Sequence, residues 1–174
     1  MPYKSEKEMY PHVCKWLKIF LKEHHKKHEI HVFDSSRKKL NKLIEEHDLI
    51  DNLPSEWTSW DIQIDIVGFA TNENENILAF VECKNSAISL SYLSQLLGYS
   101  KVSRPTYSFI ISPQGPSDSL KSLLLSYNRI DILEYHSEPG ILPYSIIVAK
   151  WNERKNSIVT SSIITGIRNI IGHI

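Results

Sequence analysis

This sequence lacks the residues that define several large classes of protein. Its 174 residues include only two cysteines and six glycines. Two cysteines without a CxxC pair exclude a disulfide-dense scaffold and a cysteine zinc motif, and they predict a reduced, cytoplasmic protein. No stretch approaches the roughly 20 consecutive apolar residues of a transmembrane helix. The first ten residues also lack the apolar run of a signal peptide. We therefore expect an intracellular protein with no membrane partner.

Neither sign of charge is in excess, because 20 Lys and Arg residues balance 20 Asp and Glu residues. The charge is nevertheless unevenly distributed, with a local sum of +4 over residues 14–47, −8 over 48–82 and +4 over 83–129. An acidic middle between basic flanks is expected where carboxylates converge on a cation and the surroundings hold a polyanion. A patchy surface charge without function is the alternative.

The sequence predicts one α/β domain over residues 1–174, with a mixed central sheet flanked by helices. Its core is expected at about 5–135 and a C-terminal extension at about 140–174. The hydrophobic patterns predict helices at 6–28, 36–46, 90–102 and 118–127, and strands at 60–69, 77–83, 106–111, 130–135 and 144–151. Ser5 and Glu8 form a predicted capping box, and Pro11 either kinks the first helix or moves its start. The isoleucine-rich residues 157–174 are interpreted as a closing helix or a homodimer surface.

Three charged residues fall on two neighbouring predicted strands. Glu82 and Lys84 are two residues apart, so both side chains point to the same face of their strand. Asp65 lies within the apolar stretch of the preceding strand, where an unpartnered carboxylate is costly. If the two strands form a hairpin, Asp65 and Glu82 approach closely enough to share a hard divalent cation such as Mg²⁺ or Mn²⁺. A lysine beside that cation can orient or deprotonate an attacking water.

The pattern of Asp65 followed by Glu82-Cys83-Lys84 resembles the core of the PD-(D/E)xK nuclease superfamily. Gln95 and Tyr99 match the QxxxY motif of its RecB-like branch, and the resemblance spans residues 6–111. It implies a restriction-endonuclease-like core of order αβββαβ and Mg²⁺- or Mn²⁺-dependent hydrolysis of DNA that leaves 5′-phosphate ends. Asp65, Glu82 and the backbone carbonyl of Cys83 would be metal ligands, Lys84 would act on the water, and Gln95 and Tyr99 would position the strand or the site.

The chain departs from this family pattern at two points. Ile64 stands where the family often has proline. Iron–sulfur members of the branch use four cysteines, so we expect no iron–sulfur cluster here.

Members of the superfamily often place a glutamate from the first helix at the metal site. At 100° per residue from Val13, Glu6 lies about 20° from the centre of the apolar stripe and Glu8 about 140° away. Glu6 is therefore the predicted third carboxylate. A solvated Glu6 at a helix end is the alternative, because the helix dipole favours acidic residues there.

Two groups of basic residues are candidates for phosphate contacts, because such contacts need only charge and donors. The candidates are Lys101 and Arg104, just beyond the QxxxY motif, and Arg37, Lys38 and Lys39 in the first basic block. The solvated face of a short helix is the alternative for the second group.

Two further functions remain open at this point. The chain could be a nucleic-acid-binding module of the same fold that does not cleave. Asp65, Glu82 and Lys84 could instead form an internal ion-pair network in an unrelated domain, in which case Lys84 would be bonded to Glu82 in the interior. The form of the substrate, and exonuclease versus endonuclease action, are also open.

Overall fold

The computed structural model describes residues 3–141 and 143–166. Its helices are α1 (Tyr10–His24), α2 (Leu40–Glu46), α3 (Leu90–Ser103) and α4 (Asp118–Lys121), which continues into a π-helical turn at Ser122–Ser126. Its strands are β1 (Glu29–Asp34), β2 (Ile66–Thr71), β3 (Asn76–Cys83), β4 (Tyr107–Ser112), β5 (Glu134–His136), β6 (Tyr144–Ser145), β7 (Ile147–Asn152) and β8 (Ser157–Ile158). Short 3-10 helices cover Glu6–Glu8, Ser55–Ser59, Ile130–Leu133 and Thr160–Ser162.

Six of the strands form a mixed sheet in the order β1-β2-β3-β4-β7-β8, and β5 pairs with β6 separately. The strands β1, β2 and β3 are successively antiparallel. The strands β3, β4 and β7 are parallel, and α3 connects the first two of them. The prediction of an α/β fold with a mixed sheet flanked by helices is thus confirmed. β7, from the predicted C-terminal extension, is a member of this sheet.

Alternate residues of the central strands pack into two separate hydrophobic cores. Leu78 and Phe80 of β3 lie in the core that α2, α3 and α4 cover. Ala79, Val81 and Cys83 lie in the core beneath α1. α1 approaches β2 closely at Gly68. A Cβ added there would lie 2.7 Å from a methyl group of a leucine in α1. The central strands are therefore buried on both faces, which explains their nearly continuous apolar sequences.

The first helix is shorter at both ends than the predicted 6–28. Pro11 lies in the first turn of α1, where its missing N–H costs nothing, and the preceding residues form a 3-10 turn instead. The predicted capping box does not form, because Glu8 accepts a hydrogen bond from the Lys4 N–H and the Ser5 side chain caps nothing. α1 ends at His24, and the chain soon enters β1, a strand that the sequence analysis missed.

Two other predicted elements are also wrong in part. The strand predicted at 60–69 begins only at Ile66, and residues 60–65 are irregular. The segment predicted as a strand at 130–135 is mostly a 3-10 helix, followed by β5.

The C-terminal isoleucines do not form the predicted helix within the described residues. Residues 157–166 contain β8 and a 3-10 turn. Ile158 and Ile164 are only 6% and 7% exposed and pack into the two cores, so they provide no exposed face for a dimer. The remaining residues of the predicted dimer surface, 167–174, lie outside the described residues. Within residues 3–141 and 143–166, no helix is long and apolar enough to cross a membrane.

Candidate active site

Asp65 lies at a bend immediately before β2, and both of its carboxylate oxygens are engaged. Oδ2 accepts a hydrogen bond from the Cys83 N–H at 2.9 Å, and Oδ1 accepts one from the Tyr10 hydroxyl at 2.8 Å. The Asp65 carbonyl accepts from the Ser35 N–H at 2.9 Å. The Asp65 carboxylate is therefore held against the end of β3 by donors from two other parts of the chain.

Glu82 and Lys84 lie together at the end of β3, on the face that α3 covers. Lys84 Nζ donates to Glu82 Oε1 at 2.9 Å, and each residue is only 8% exposed. Lys84 Nζ also lies 4.8 Å from the centre of the Tyr92 ring. The second carboxylate oxygen of Glu82, Oε2, is buried and has no hydrogen-bond partner among the described residues. An unpartnered buried carboxylate oxygen is costly, and its cost is offset when a cation or donor reaches it.

The two carboxyl groups oppose each other's ionisation. Burial, and next the negative charge of Asp65, raise the pKa of Glu82 to about 7, although Lys84 opposes the rise. Burial also raises the pKa of Asp65, against the hydrogen bonds from Cys83 and Tyr10. For Lys84, burial lowers the pKa, but the carboxylates of Glu82 and Glu6 outweigh it, so that the net shift is upward. Lys84 therefore remains an ammonium ion. The pKa values of the two neighbouring carboxyl groups are raised, so it is unfavourable for both of them to be ionised at once.

This pair of carboxyl groups fits a hard cation that also takes water or phosphate oxygens. The charge and the backbone N–H of Asp65 both act on the Glu82 carboxyl group, and Glu82 Oε2 has no hydrogen-bond partner within the described part of the chain. Mg²⁺ commonly uses one or two carboxylates and retains several waters. Among residues 3–141 and 143–166, no three His, Cys, Asp or Glu side chains come close enough together to hold a metal by themselves. Protein ligands alone therefore do not form a closed site here.

Glu6, the predicted third carboxylate, lies beside the cluster. Its Oε2 is 4.0 Å from Lys84 Nζ, and its side chain is 36% exposed. Glu8 is exposed and bonds to Lys4 instead. Both glutamates belong to a 3-10 turn, so the turn, and not the predicted helical stripe, brings Glu6 to Lys84.

The two residues of the QxxxY motif bond to each other on α3. The Gln95 side-chain amide donates to the Tyr99 hydroxyl at 3.1 Å, and Gln95 is exposed. The α3 side chain that reaches the charged cluster is instead Tyr92, which the sequence analysis missed. Tyr92 precedes Gln95 by three residues and so shares its helical face, which is the signal that would have identified it.

Tyr10 lies within the predicted first helix, next to its apolar stripe, and is not among the predicted site residues. It is 5% exposed and uses its hydroxyl on Asp65. A buried tyrosine usually finds a partner for its hydroxyl, so the stripe should have prompted a search for a buried acceptor.

The structure separates Lys101 and Arg104 from this cluster. The Thr106 N–H donates to the Leu78 carbonyl, which places the end of α3 beside the start of β3. Glu82 is four residues further along β3, or about 13 Å at 3.3 Å per residue. Lys101 and Arg104 are therefore exposed at the opposite end of the strands from Glu82 and Lys84.

The other predicted basic group follows β1. Lys38 forms an ion pair with Glu46, and Lys39 lies 3.7 Å from Asp61. Arg37 is exposed. Carboxylates thus partly neutralise this group.

Comparisons of this chain with protein-family models, with curated proteins and with solved structures gave no match. Any function proposed for it depends on its own residues and their geometry.

Proposed function

We propose that this protein is a metal-dependent nuclease that hydrolyses phosphodiester bonds in DNA. One observation carries the proposal. Asp65 and Glu82 lie together at the end of β3, with Lys84 bonded to one oxygen of Glu82, and no residue that the structure describes bonds to the other oxygen. A carboxylate pair with an adjacent ammonium group can support phosphodiester hydrolysis, because it can bind a cation and stabilise extra negative charge on phosphate.

Each residue of the cluster has a defined role in this proposal. Asp65 and Glu82 would hold Mg²⁺ or Mn²⁺, together with the Cys83 carbonyl and Glu6, and the bound ion would activate the phosphate and the attacking water. Tyr10 and the Cys83 N–H fix the orientation of Asp65. Lys84 has three donors and uses one on Glu82, so it retains donors for the water or a phosphate oxygen. The carboxylates of Glu82 and Glu6 raise the pKa of Lys84, so the role we assign to it is that of a charged donor.

The order of elements supports a restriction-endonuclease-like core, which we include in the proposal. α1, β1, β2, β3, α3 and β4 follow one another in the order αβββαβ, with α2 inserted after β1. β1, the strand missing from the predicted set, supplies the third strand of this order. Gln95 and Tyr99 lie on the helix that the resemblance assigns to them.

A purely structural ion pair is the second candidate, and a specific observation favours it. Lys84 and Glu82 are bonded to each other and nearly buried, as expected for an internal network. A structural pair and a nuclease site differ in their response to divalent cations. Calorimetric titration with Mn²⁺ should give saturable binding to the wild-type protein if the site is functional, and Asp65→Asn should abolish that binding. No binding at millimolar Mn²⁺ would favour the structural pair or a non-catalytic module.

The direct test is cleavage of end-labelled linear, circular and single-stranded DNA in the presence of Mg²⁺ or Mn²⁺. We expect Asp65→Asn and Lys84→Ala each to lower the rate by at least roughly 100-fold, because each removes a group that acts on the reacting phosphate. Lys42→Ala is the matched control, since Lys42 is an exposed lysine paired with Glu45. Undiminished cleavage by the Asp65→Asn/Lys84→Ala double variant would overturn the proposal.

A further inference from the structure

A row of side chains crosses the carboxyl ends of the three parallel strands. Glu82, Ile110 and Val148 are in register on β3, β4 and β7, and Ser112 of β4 is in register with Lys150 of β7. The Lys84 N–H donates to the Ile111 carbonyl, so Lys84 continues this register at the level of Ser112. Lys84, Ser112 and Lys150 therefore form the next row across the sheet.

Lys150 lies on the same face of the sheet as Lys84. Phe80, Ile110 and Val148 all pack into the core covered by α3. Side chains along a strand return to the same face every second residue, so Lys84 and Lys150 emerge on that face. They are two strands apart, which is about 10 Å at the usual strand spacing. Lys150 is exposed, whereas Lys84 is nearly buried.

Lys150 borders a pocket of about 400 Å³ that also contains Lys121, Gln114, Ser161 and Ser162. Lys121 is exposed at the end of α4, and neither lysine forms an ion pair with any described residue. Asp118 is the acidic side chain of this pocket. Lysine, glutamine and serine side chains are the groups that proteins commonly use on nucleic-acid phosphates.

We propose that Lys121 and Lys150 bind the phosphate backbone of the nucleic acid whose scissile phosphate lies at Lys84. This inference rests on the proposed nuclease function and adds the direction in which the strand leaves the site. The separation of about 10 Å between the two strands places Lys150 beside a phosphate close to the scissile one along the same nucleic-acid strand. Ligands of sheets with parallel strands bind outside the carboxyl ends of those strands, which is where this row lies.

The test is the affinity of the full chain for fluorescently labelled DNA in EDTA, measured by anisotropy at several salt concentrations. The test variant is Lys121→Gln/Lys150→Gln. The control variant is Lys101→Gln/Arg104→Gln, which removes the same charge at the opposite end of the strands. Each lost phosphate contact lowers the slope of log K against log salt by about 0.9. Losing two contacts therefore lowers the slope by about 1.8. Between about 1 M and about 0.1 M salt, the affinity of the variant then increases roughly 60-fold less than that of the wild-type protein. Thermal melting checks that both variants remain folded.

We expect the Lys121→Gln/Lys150→Gln variant to show this reduced slope and the control to retain the wild-type slope. If the wild-type protein binds and cleaves DNA but the two variants have equal slopes, the proposed surface is wrong and the nuclease function stands. If the wild-type protein neither binds nor cleaves DNA, both proposals fail together.

Discussion

Replacing Glu82 with glutamine tests the cost of ionising this carboxyl group, which burial causes first and the negative charge of Asp65 next. A carboxyl group with an ordinary pKa of 4.5 that is raised to about 7 on folding binds its proton more tightly in the folded chain. Between these two values the folded state holds more protons than the unfolded state, so the free energy of unfolding falls as the pH rises. This rise in the pKa of Glu82 corresponds to a loss of about 3 kcal/mol in the free energy of unfolding, because one pKa unit is about 1.36 kcal/mol.

Urea denaturation at several pH values between about 4.5 and 8 measures this loss. We expect the wild-type protein to lose about 3 kcal/mol more than Glu82→Gln across the window. Glutamine keeps an oxygen that can accept from Lys84, so the variant removes the charge and retains a hydrogen bond. Ionisations that wild type and Glu82→Gln share cancel in the difference between the two proteins.

Glu56→Gln, which changes an exposed carboxyl group, serves as the control. If the proposed site binds Mg²⁺, saturating Mg²⁺ at pH 8 should raise the melting temperature of the wild-type protein and leave that of Glu82→Gln unchanged, because a ligand of the folded state alone stabilises that state. An equal pH dependence of stability in wild type and Glu82→Gln would refute the reasoning.

Four further substitutions at three positions probe contacts of the site and of the core beneath α1. Tyr10→Phe removes the hydroxyl that donates to Asp65, so we expect a loss of about 1.5–3 kcal/mol in urea denaturation and weaker Mn²⁺ binding by calorimetry; unchanged Mn²⁺ affinity would contradict a positioning role. Tyr92→Phe keeps an aromatic face beside Lys84 and should retain activity, whereas Tyr92→Leu should lose about 0.5–2 kcal/mol of stability; equal losses in the two variants would argue against the ring contact. Gly68→Ala places a methyl group 2.7 Å from a leucine methyl of α1, and thermal melting should show a loss of about 1–3 kcal/mol. An unchanged melting temperature would contradict a tight contact between α1 and β2.

The sequence predicted best the elements whose signal is local. β3, α3 and β4 were predicted to within about two residues, because their apolar patterns are continuous and their ends carry turn or capping residues. β1 was missed because it is short, begins and ends in an exposed acidic residue, and has only half-buried side chains between them at the edge of the sheet. The sequence analysis interprets residues 157–174 as a closing helix or a dimer surface, but Ile158 and Ile164 pair with Trp151 and Val148 of β7 as parts of short extended segments. Local periodicity could not reveal this, because the sheet and not the segment supplies the partner.

The sequence by itself determined that Glu82 and Lys84 share one face of a buried strand, because side-chain alternation follows directly from strand geometry. It also indicated an acidic region between basic flanks. Only the tertiary structure decided the partners of these charges. Tyr10 and Cys83 reach Asp65 from 55 and 18 residues away in the chain, and Tyr92 reaches Lys84 from the neighbouring helix. Lys150 lies in the same row as Lys84 because β3, β4 and β7 run parallel. Lys101 lies far from this row because α3 returns the chain to the opposite end of these strands. Such contacts depend on strand order and crossover direction, which no short stretch of sequence specifies.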